Sequence, residues 1–127
     1  LSTMPNWGIK KYALLTTPDK FSERIDAVVE KVGLTEKVKQ GLIDRIKAEI
    51  KQDVAGLNVS TFVQQIKVEE ALIIHDVNDR VIPIEQSRRV QQNWSNCKLQ
   101  EIEGTGHFKI LRTPSVLQAV EEFLRIT

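Results

Sequence analysis

The sequence predicts an α/β fold organised around parallel β-strands. Two short segments, a continuous apolar run at 71–74 and an alternating stretch at 98–103, are each followed by turn residues and then by a helical pattern. Two further amphipathic helical patterns precede them, between residues 17 and 56. Strands that alternate with helices in this way are typical of β-α-β units, in which the strands run parallel. The order from residue 71, which is strand, helix, strand, helix, predicts such a unit.

Composition places the chain among ordinary globular proteins. Of its 127 residues, 41% are hydrophobic and 28% are charged, with 18 Lys and Arg against 17 Asp and Glu. Because the lysines alternate with acidic residues along the helical stretches, no nucleic-acid partner is expected.

The apolar run at 71–74 is far shorter than the roughly 20 residues of a bilayer span, so no membrane span is expected. A single cysteine, Cys97, and no basic-then-apolar leader favour a cytoplasmic setting.

The first 33 residues predict the end of a strand and then one helix. Residues 1–5 have the pattern of a strand that runs into a loop, and the first residue is Leu1, which predicts that something precedes the chain in its gene. Thr17 is expected to cap a helix with Pro18 at its first position, and Gly33 ends that helix. Its apolar stripe consists of Phe21, Ile25, Val28, Val29 and Val32.

A second helix is predicted after Thr35, which can accept a hydrogen bond as its N-cap. Gly56 lies beyond its end, and residues 60–67 predict one more short helical turn. Both amphipathic stripes are interpreted first as core or lid packing and second as a surface for a partner. The stripe of the second helix consists of Val38, Leu42, Ile46 and Ile50.

The second half of the chain predicts the β-α-β-α unit. The run 71–74 predicts a strand buried on both faces that ends at His75. A polar helix is expected over 85–94, a strand over 98–103, and a last helix capped by Thr113. That helix has its buried stripe at Val116, Leu117, Val120, Phe123 and Leu124. Because two strands leave sheet edges open, self-association as a homodimer, through an edge or the helices, is one expectation.

Two loops with chemically active side chains follow the two predicted strands. Asp79 lies in the first loop, 75–83, and His107 lies in the second, 104–108. The carboxyl ends of neighbouring parallel strands meet at one edge of a sheet, where ligands and catalytic groups collect. An aspartate there can hold one imidazole nitrogen while the other nitrogen takes a proton from a serine. The sequence therefore predicts that Asp79 and His107 lie together.

These loops resemble the α/β-hydrolase superfamily. The resemblance rests on Leu-Ile-Ile-His-Asp-x-x-Asp-Arg-Val-Ile-Pro at 72–83 and on Gly-x-Gly-His at 104–107. It implies that Asp79 is the acid and His107 the base of a catalytic triad. It also implies that residues 1–67 hold a strand end and a lid-like helical segment, and that 68–127 form the C-terminal part of the hydrolase core. The implied substrate is a small acyl compound, with no cofactor and no metal.

The nucleophile of such a triad is missing from the sequence. In this fold the order is serine, acid, histidine, and the serine stands in a Gly-x-Ser-x-Gly elbow. Flanking glycines are absent around every serine of the chain: Ser2, Ser22, Ser60, Ser87, Ser95 and Ser115. The oxyanion hole is missing too, because its amides come from the elbow and an earlier loop. The sequence thus predicts an esterase-like serine-hydrolase fragment that is inactive alone, or alternatively a non-catalytic interaction module.

Three further residues have plainer interpretations than catalysis. His75, at the end of a buried strand, is interpreted as a structural histidine with satisfied hydrogen bonds. Asp76 is the carboxylate of the acid loop that is less suited to the triad, and Cys97 is interpreted as an incidental buried thiol. A metal site formed by His75, Asp76, Asp79 and His107 is the least favoured interpretation, because hydrolase-like turn residues explain all of these positions.

Overall fold

The computed structural model describes residues 9–125, and within them the chain forms a parallel three-stranded sheet in the order β1-β2-β3. The strands are β1 (Lys11–Leu15), β2 (Glu70–Asp76) and β3 (Cys97–Ile102). The helices are α1 (Phe21–Val32), α2 (Glu36–Ile50), α3 (Val59–Phe62), α4 (Ile84–Gln92) and α5 (Pro114–Leu124). This architecture confirms the predicted α/β fold class and its β-α-β-α unit.

The central strand β2 is buried on both faces because its side chains alternate between two apolar clusters. The first cluster lies toward α3 and α4 and consists of Val63, Ala71, Ile73, Val90, Trp94 and Cys97. The second lies toward α5 and consists of Leu72, Ile74, Ile110 and Val116. Helices therefore cover both faces of the sheet, and the carboxyl end of β2 is buried.

Strand β1 was not predicted from the sequence. It pairs in parallel with β2, with Leu15 opposite Ile74, and the Lys11 ammonium donates a 2.8 Å hydrogen bond to the carbonyl of Phe123. Its residues are only half-buried, and its apolar residues, at 12–15, form a continuous run without polar and apolar alternation. The strand end predicted at residues 1–5 lies outside the described residues.

The first helix begins later than predicted. Thr17 and Pro18 were expected to open it, but α1 begins at Phe21 after Lys20. The Thr17 hydroxyl donates to the Pro18 carbonyl and caps nothing. Residues 17–20 lie outside the helix instead, because the Asp19 amide donates to the Gln86 side chain on α4, and Lys20, whose backbone is extended, forms an antiparallel bridge with Asn58. Tertiary hydrogen bonds have overridden a local helix-start pattern.

The cap predicted at Thr35 is confirmed, since its hydroxyl accepts a hydrogen bond from the Val38 amide. The apolar stripe of α2 is largely exposed, however: Val38, Leu42 and Ile50 are 51%, 37% and 41% exposed. In α1 only Ile25 is buried. Apart from Ile25, the stripes of these two helices are therefore not buried in the core formed by residues 9–125.

The remaining elements follow the predictions with shifted ends. Strand β2 extends to Asp76, and the expected turn at 60–67 is α3 followed by a 3-10 turn at Val63–Gln65. Helix α5 begins at Pro114, but the Thr113 hydroxyl donates to the Lys109 carbonyl and does not cap the helix. Two members of the predicted α5 stripe, Leu117 and Leu124, are exposed.

None of the helices between residues 9 and 125 combines the length and the apolar character that crossing a bilayer requires.

Candidate active site

The acid loop begins where β2 ends and is folded around the Asp79 carboxylate. Its Oδ1 accepts hydrogen bonds from the amides of Val81 and Ile82, both at 2.8 Å. The Asp79 amide in turn donates to the Asp76 carbonyl at 3.1 Å, and Arg24 of α1 donates to the Val81 carbonyl at 2.8 Å. The Asp79 side chain is fully buried. The loop therefore presents one carboxylate oxygen, Oδ2, in a fixed direction.

His107 meets that oxygen from the loop after β3. Its Nδ1 lies 2.9 Å from Asp79 Oδ2. Gly104 and Gly106 have φ angles of 92° and 61°, and such left-handed backbone is what turns the loop toward the acid. The ring packs edge-on against Phe108, with centroids 4.9 Å apart, and about a quarter of the His107 side chain is exposed. The structure thus brings together the two residues that the sequence singled out.

The pairing sets the tautomer of the His107 ring. A carboxylate can only accept, so Nδ1–H donates a hydrogen bond to Asp79. When the ring is neutral, Nε2 holds a lone pair, and it makes no hydrogen bond to any residue between 9 and 125. This is the tautomer in which an imidazole can act as a general base through Nε2.

The pKa of Asp79 reflects both its burial and its partners. Burial raises the pKa, but hydrogen bonds from the Ile82 amide, His107 and the Val81 amide outweigh it. The net pKa lies below the ordinary value. The carboxylate is consequently ionised at neutral pH, as a group that stabilises a neighbouring imidazolium must be.

Asp76, the carboxylate set aside in the sequence interpretation, contacts both loops. It is fully buried at the end of β2. Its Oδ1 accepts from the Asn78 amide at 2.7 Å, and its Oδ2 accepts from the amides of Thr105 and Gly106 at 2.7 and 2.8 Å. Burial raises the pKa of Asp76, but these backbone hydrogen bonds outweigh that effect, so the net pKa lies below the ordinary value. Sequence spacing shows the Asx turn with Asn78 but not the contact with the distant loop.

His75 has both ring nitrogens paired, as a structural histidine would. Its Nε2 donates to the Ile82 carbonyl at 2.8 Å and lies 3.5 Å from Asp79 Oδ2. Its Nδ1 lies 2.5 Å from the Ser87 hydroxyl oxygen on α4. Ser87 also accepts from the amide of Thr17. Through the Ile82 carbonyl, this buried chain of hydrogen bonds connects the acid loop to α4. The contact between His75 and Ser87 was not predicted.

The Cys97 thiol and the metal-ligating side chains show no sign of reactivity or of metal binding in the described part of the chain. Cys97 is buried, and burial raises the pKa of its thiol to about 11, so it carries almost no thiolate at neutral pH. Within residues 9–125, no group of three or more His, Cys, Asp or Glu side chains is arranged to hold a metal ion. Neither observation adds a second reactive centre to the pair formed by Asp79 and His107.

An apolar cleft of about 290 Å³ lies at the base of α1. It is lined by Pro18, Asp19, Phe21, Arg24, Leu57, Val59 and Phe62. Arg24 is also the residue that donates to the Val81 carbonyl of the acid loop. The cleft and the acid loop therefore share one side chain.

Comparison with solved structures identifies the fold. MGS-M2, an α/β-hydrolase enzyme from a Medee basin deep-sea metagenome library, superimposes with a TM-score of 0.63 at 17% identity, covering 99% of this chain and 59% of that one. Two Mycobacterium tuberculosis proteins give TM-scores of 0.56 over 90% of this chain. They are BpoC of strain H37Rv, described as a candidate non-heme bromoperoxidase, at 14% identity and 57% of its length, and Rv0554, at 16% identity and 56%.

The chain therefore has an α/β-hydrolase fold, as the sequence resemblance implied. It spans somewhat more than half the length of these structural neighbours. No protein-family model and no curated protein matches the sequence. At identities of 14–17% the likeness concerns the fold alone, and the chemistry must be argued from the residues themselves.

Proposed function

We propose that Asp79 and His107 are the acid and base of a Ser-His-Asp triad in a serine hydrolase that cleaves a small ester, amide or thioester. The observation that carries this proposal is the 2.9 Å hydrogen bond from His107 Nδ1 to Asp79 Oδ2, which leaves Nε2 for a serine. The hydrolase fold and the position of both residues at the carboxyl ends of adjacent parallel strands support it.

The proposed reaction is acyl transfer through a covalent intermediate. His107 Nε2 accepts the proton of a serine hydroxyl while the serine oxygen attacks the acyl carbonyl carbon, and Asp79 stabilises the resulting imidazolium. The imidazolium then protonates the leaving group as its bond to carbon breaks. A water molecule, deprotonated by His107 in the same way, releases the acid and restores the serine.

The serine and the oxyanion-hole donors are not found in these 127 residues, which contain no Gly-x-Ser-x-Gly elbow. We therefore propose that this chain alone hydrolyses no ester. We assign α1 and α2 to a lid over the substrate, because their exposed apolar side chains suit an acyl group or the rest of a hydrolase domain. A cytoplasmic setting fits the single cysteine.

The test is hydrolysis of a panel of short-chain esters and thioesters by the full-length product of the gene. We expect His107→Ala and Asp79→Asn to lower kcat by about 10⁴-fold or more, because each removes a member of the triad. The matched control is Asp53→Asn, which changes an exposed carboxylate that binds the Ala55 amide and should leave kcat unchanged. An open reading frame without a serine elbow upstream of residue 79 would contradict the proposal.

A second function, a non-catalytic interaction module, is favoured by one observation. Exposed apolar side chains occur on both α1 and α2: Phe21, Val28, Val32, Val38, Leu42 and Ile50. An exposed apolar surface of this kind commonly contacts another protein. Self-association is the form of this function that the chain can test on its own.

Analytical ultracentrifugation separates the two functions. If the chain is a homodimer through α1 and α2, Val32→Glu and Val38→Glu should each yield monomers, because a charge would be buried in the contact. Lys37→Glu, on the polar face of α2, is the matched control and should leave the association state unchanged. A wild-type monomer at all concentrations, together with ester hydrolysis by the full-length product, would exclude the interaction module.

A further inference from the structure

One buried carboxylate lies at the junction between the two loops that carry the proposed acid and base. Asp76 is 0% exposed, and its Oδ2 receives three hydrogen bonds from the His107 loop: the Thr105 amide at 2.7 Å, the Gly106 amide at 2.8 Å and the Thr105 hydroxyl at 3.1 Å. Its Oδ1 receives the Asn78 amide at 2.7 Å. Asp76 therefore binds the residue just before Asp79 and the residue just before His107.

The placement of these contacts fixes the backbone that carries the imidazole. Two successive amides, of Thr105 and Gly106, converge on a single oxygen, which orients both peptide planes. Gly106 adopts a φ of 61°, which glycine reaches without steric cost, so the hydrogen bonds to Asp76 select this conformation among the several open to glycine. Since the next residue is His107, a rotation of either peptide would move its ring away from Asp79.

A carboxylate suits this position better than any neutral side chain. All the groups that surround Asp76 are N–H or O–H donors, so an anion satisfies each of them. An asparagine of the same shape would turn its own NH₂ toward either Asn78 or the His107 loop, where only donors are present. Burial of an unpaired charge is costly, so a charge is retained here only because its hydrogen bonds offset that cost.

We propose that Asp76 is a positioning residue: it ties the Gly104–Gly106 loop to the acid loop and so holds His107 Nδ1 within hydrogen-bond distance of Asp79. The structural part of this proposal, that Asp76 holds His107 near Asp79, concerns this chain alone. Its catalytic consequence, that loss of Asp76 slows acyl transfer without changing substrate binding, rests on the function proposed above.

The structural part can be tested by NMR of the isolated chain, which contains only two histidines. In ring-nitrogen spectra we expect Asp76→Asn to convert His107 from the Nδ1–H tautomer to a mixture. Amide exchange at Thr105 and Gly106 should accelerate at least tenfold. The matched control is Asp19→Asn, which removes another buried carboxylate, one bound to Arg89 and the Ser60 amide; it should leave the His107 ring signals unchanged.

Unchanged His107 signals and unchanged exchange in Asp76→Asn would overturn the proposal. If that variant fails to fold, amide exchange in the wild-type chain still tests the structural part of the proposal. The amides of Thr105 and Gly106 should be protected to a degree comparable with those of β2, and exchange as fast as in an exposed loop would overturn the proposal equally.

The catalytic consequence is tested in the full-length product. Asp76→Asn should lower kcat by roughly 10²-fold with KM nearly unchanged, because the base is misplaced while the substrate pocket remains. Asp53→Asn, which changes an exposed carboxylate outside both loops, should leave kcat unchanged. A full-length wild type that hydrolyses no ester, combined with the NMR changes above, would refute the proposed function and support the positioning role. An unchanged kcat in Asp76→Asn with an active wild type would refute the catalytic consequence.

Discussion

His75 and Ser87 form a buried hydrogen bond in which Nδ1 of the imidazole lies 2.5 Å from the hydroxyl oxygen. Both side chains are 0% exposed. We expect Ser87→Ala to lower the free energy of unfolding by about 1–3 kcal/mol, because it leaves a buried ring nitrogen without a partner. Urea denaturation followed by circular dichroism measures this change.

Ser95→Ala is the control for that substitution. Ser95 is exposed at the turn after α4, and its replacement should change the free energy of unfolding by less than about 0.5 kcal/mol. Equal stability losses in the two variants would show that the hydrogen bond with His75 contributes nothing measurable.

The left-handed backbone at Gly106 predicts that a larger residue, Asn, is tolerated there better than Ala. Its φ is 61°, and a Cβ there would meet no atom within 4 Å, so any cost of substitution is conformational and not steric. We expect Gly106→Ala to cost about 1–2 kcal/mol of folding free energy, and Gly106→Asn to cost less, since Asn tolerates this region. Thermal and urea unfolding of both variants measure the order.

Gly41 provides the opposite case within the same chain. It lies inside α2, where a Cβ would also meet nothing within 4 Å and where its backbone is helical. Gly41→Ala should therefore stabilise the protein by about 0.5–1 kcal/mol. A loss of stability at Gly41 equal to that at Gly106 would contradict the conformational explanation.

Acid should destabilise the fold through the two carboxylates of the acid loop. Hydrogen bonds hold the pKa values of Asp76 and Asp79 below the ordinary 3.8, despite burial, which raises them. Their contribution is therefore complete above about pH 5, where the carboxyl groups of the unfolded chain are ionised, and it is lost as the pH falls through their lowered pKa values, because the unfolded chain takes up protons first. The expected slope is up to about 1.4 kcal/mol per pH unit for each group.

Unfolding free energies between pH 7 and pH 3 measure this dependence. The curve of Asp76→Asn should be shallower below pH 4 than that of the wild type, since one of the titrating groups is gone. Parallel curves for the two proteins would show that Asp76 does not contribute to the acid sensitivity.

The sequence predicted the pairing of Asp79 and His107 because it depends on topology: two loops at the same end of adjacent parallel strands must meet. It did not predict the role of Asp76, because that depends on which amides of a distant loop point at one oxygen. Strand β1 was not predicted, although its apolar run at 12–15 is as long as the run at 71–74 that predicted β2. The helix start at Thr17 was wrong because the amides of Thr17 and Asp19 donate hydrogen bonds to side chains of α4, which keeps that segment outside the helix.

Arg89 should matter more to stability than its neighbour Arg88. Arg89 donates at 2.8 Å to Asp19, whose side chain is fully buried, and it also contacts Glu23. Arg88 pairs with Glu101 at the surface. We expect Arg89→Met to cost roughly 1–3 kcal/mol, because Asp19 would keep a buried charge without its cation. Arg88→Met should cost clearly less, as exposed ion pairs contribute little. Urea unfolding of both variants decides, and equal effects would contradict the expectation.

Cys97 should report on global unfolding through its reactivity. It begins β3, is 7% exposed, and burial raises the pKa of its thiol to about 11. Thiol reagents attack the thiolate, so at pH 7.5 we expect labelling of the native chain to be at least tenfold slower than in 6 M urea. Because Cys97 packs in the cluster with Ile73 and Trp94, its exposure requires the sheet to open. Labelling that is fast in the native chain would show that β3 detaches from β2 without global unfolding.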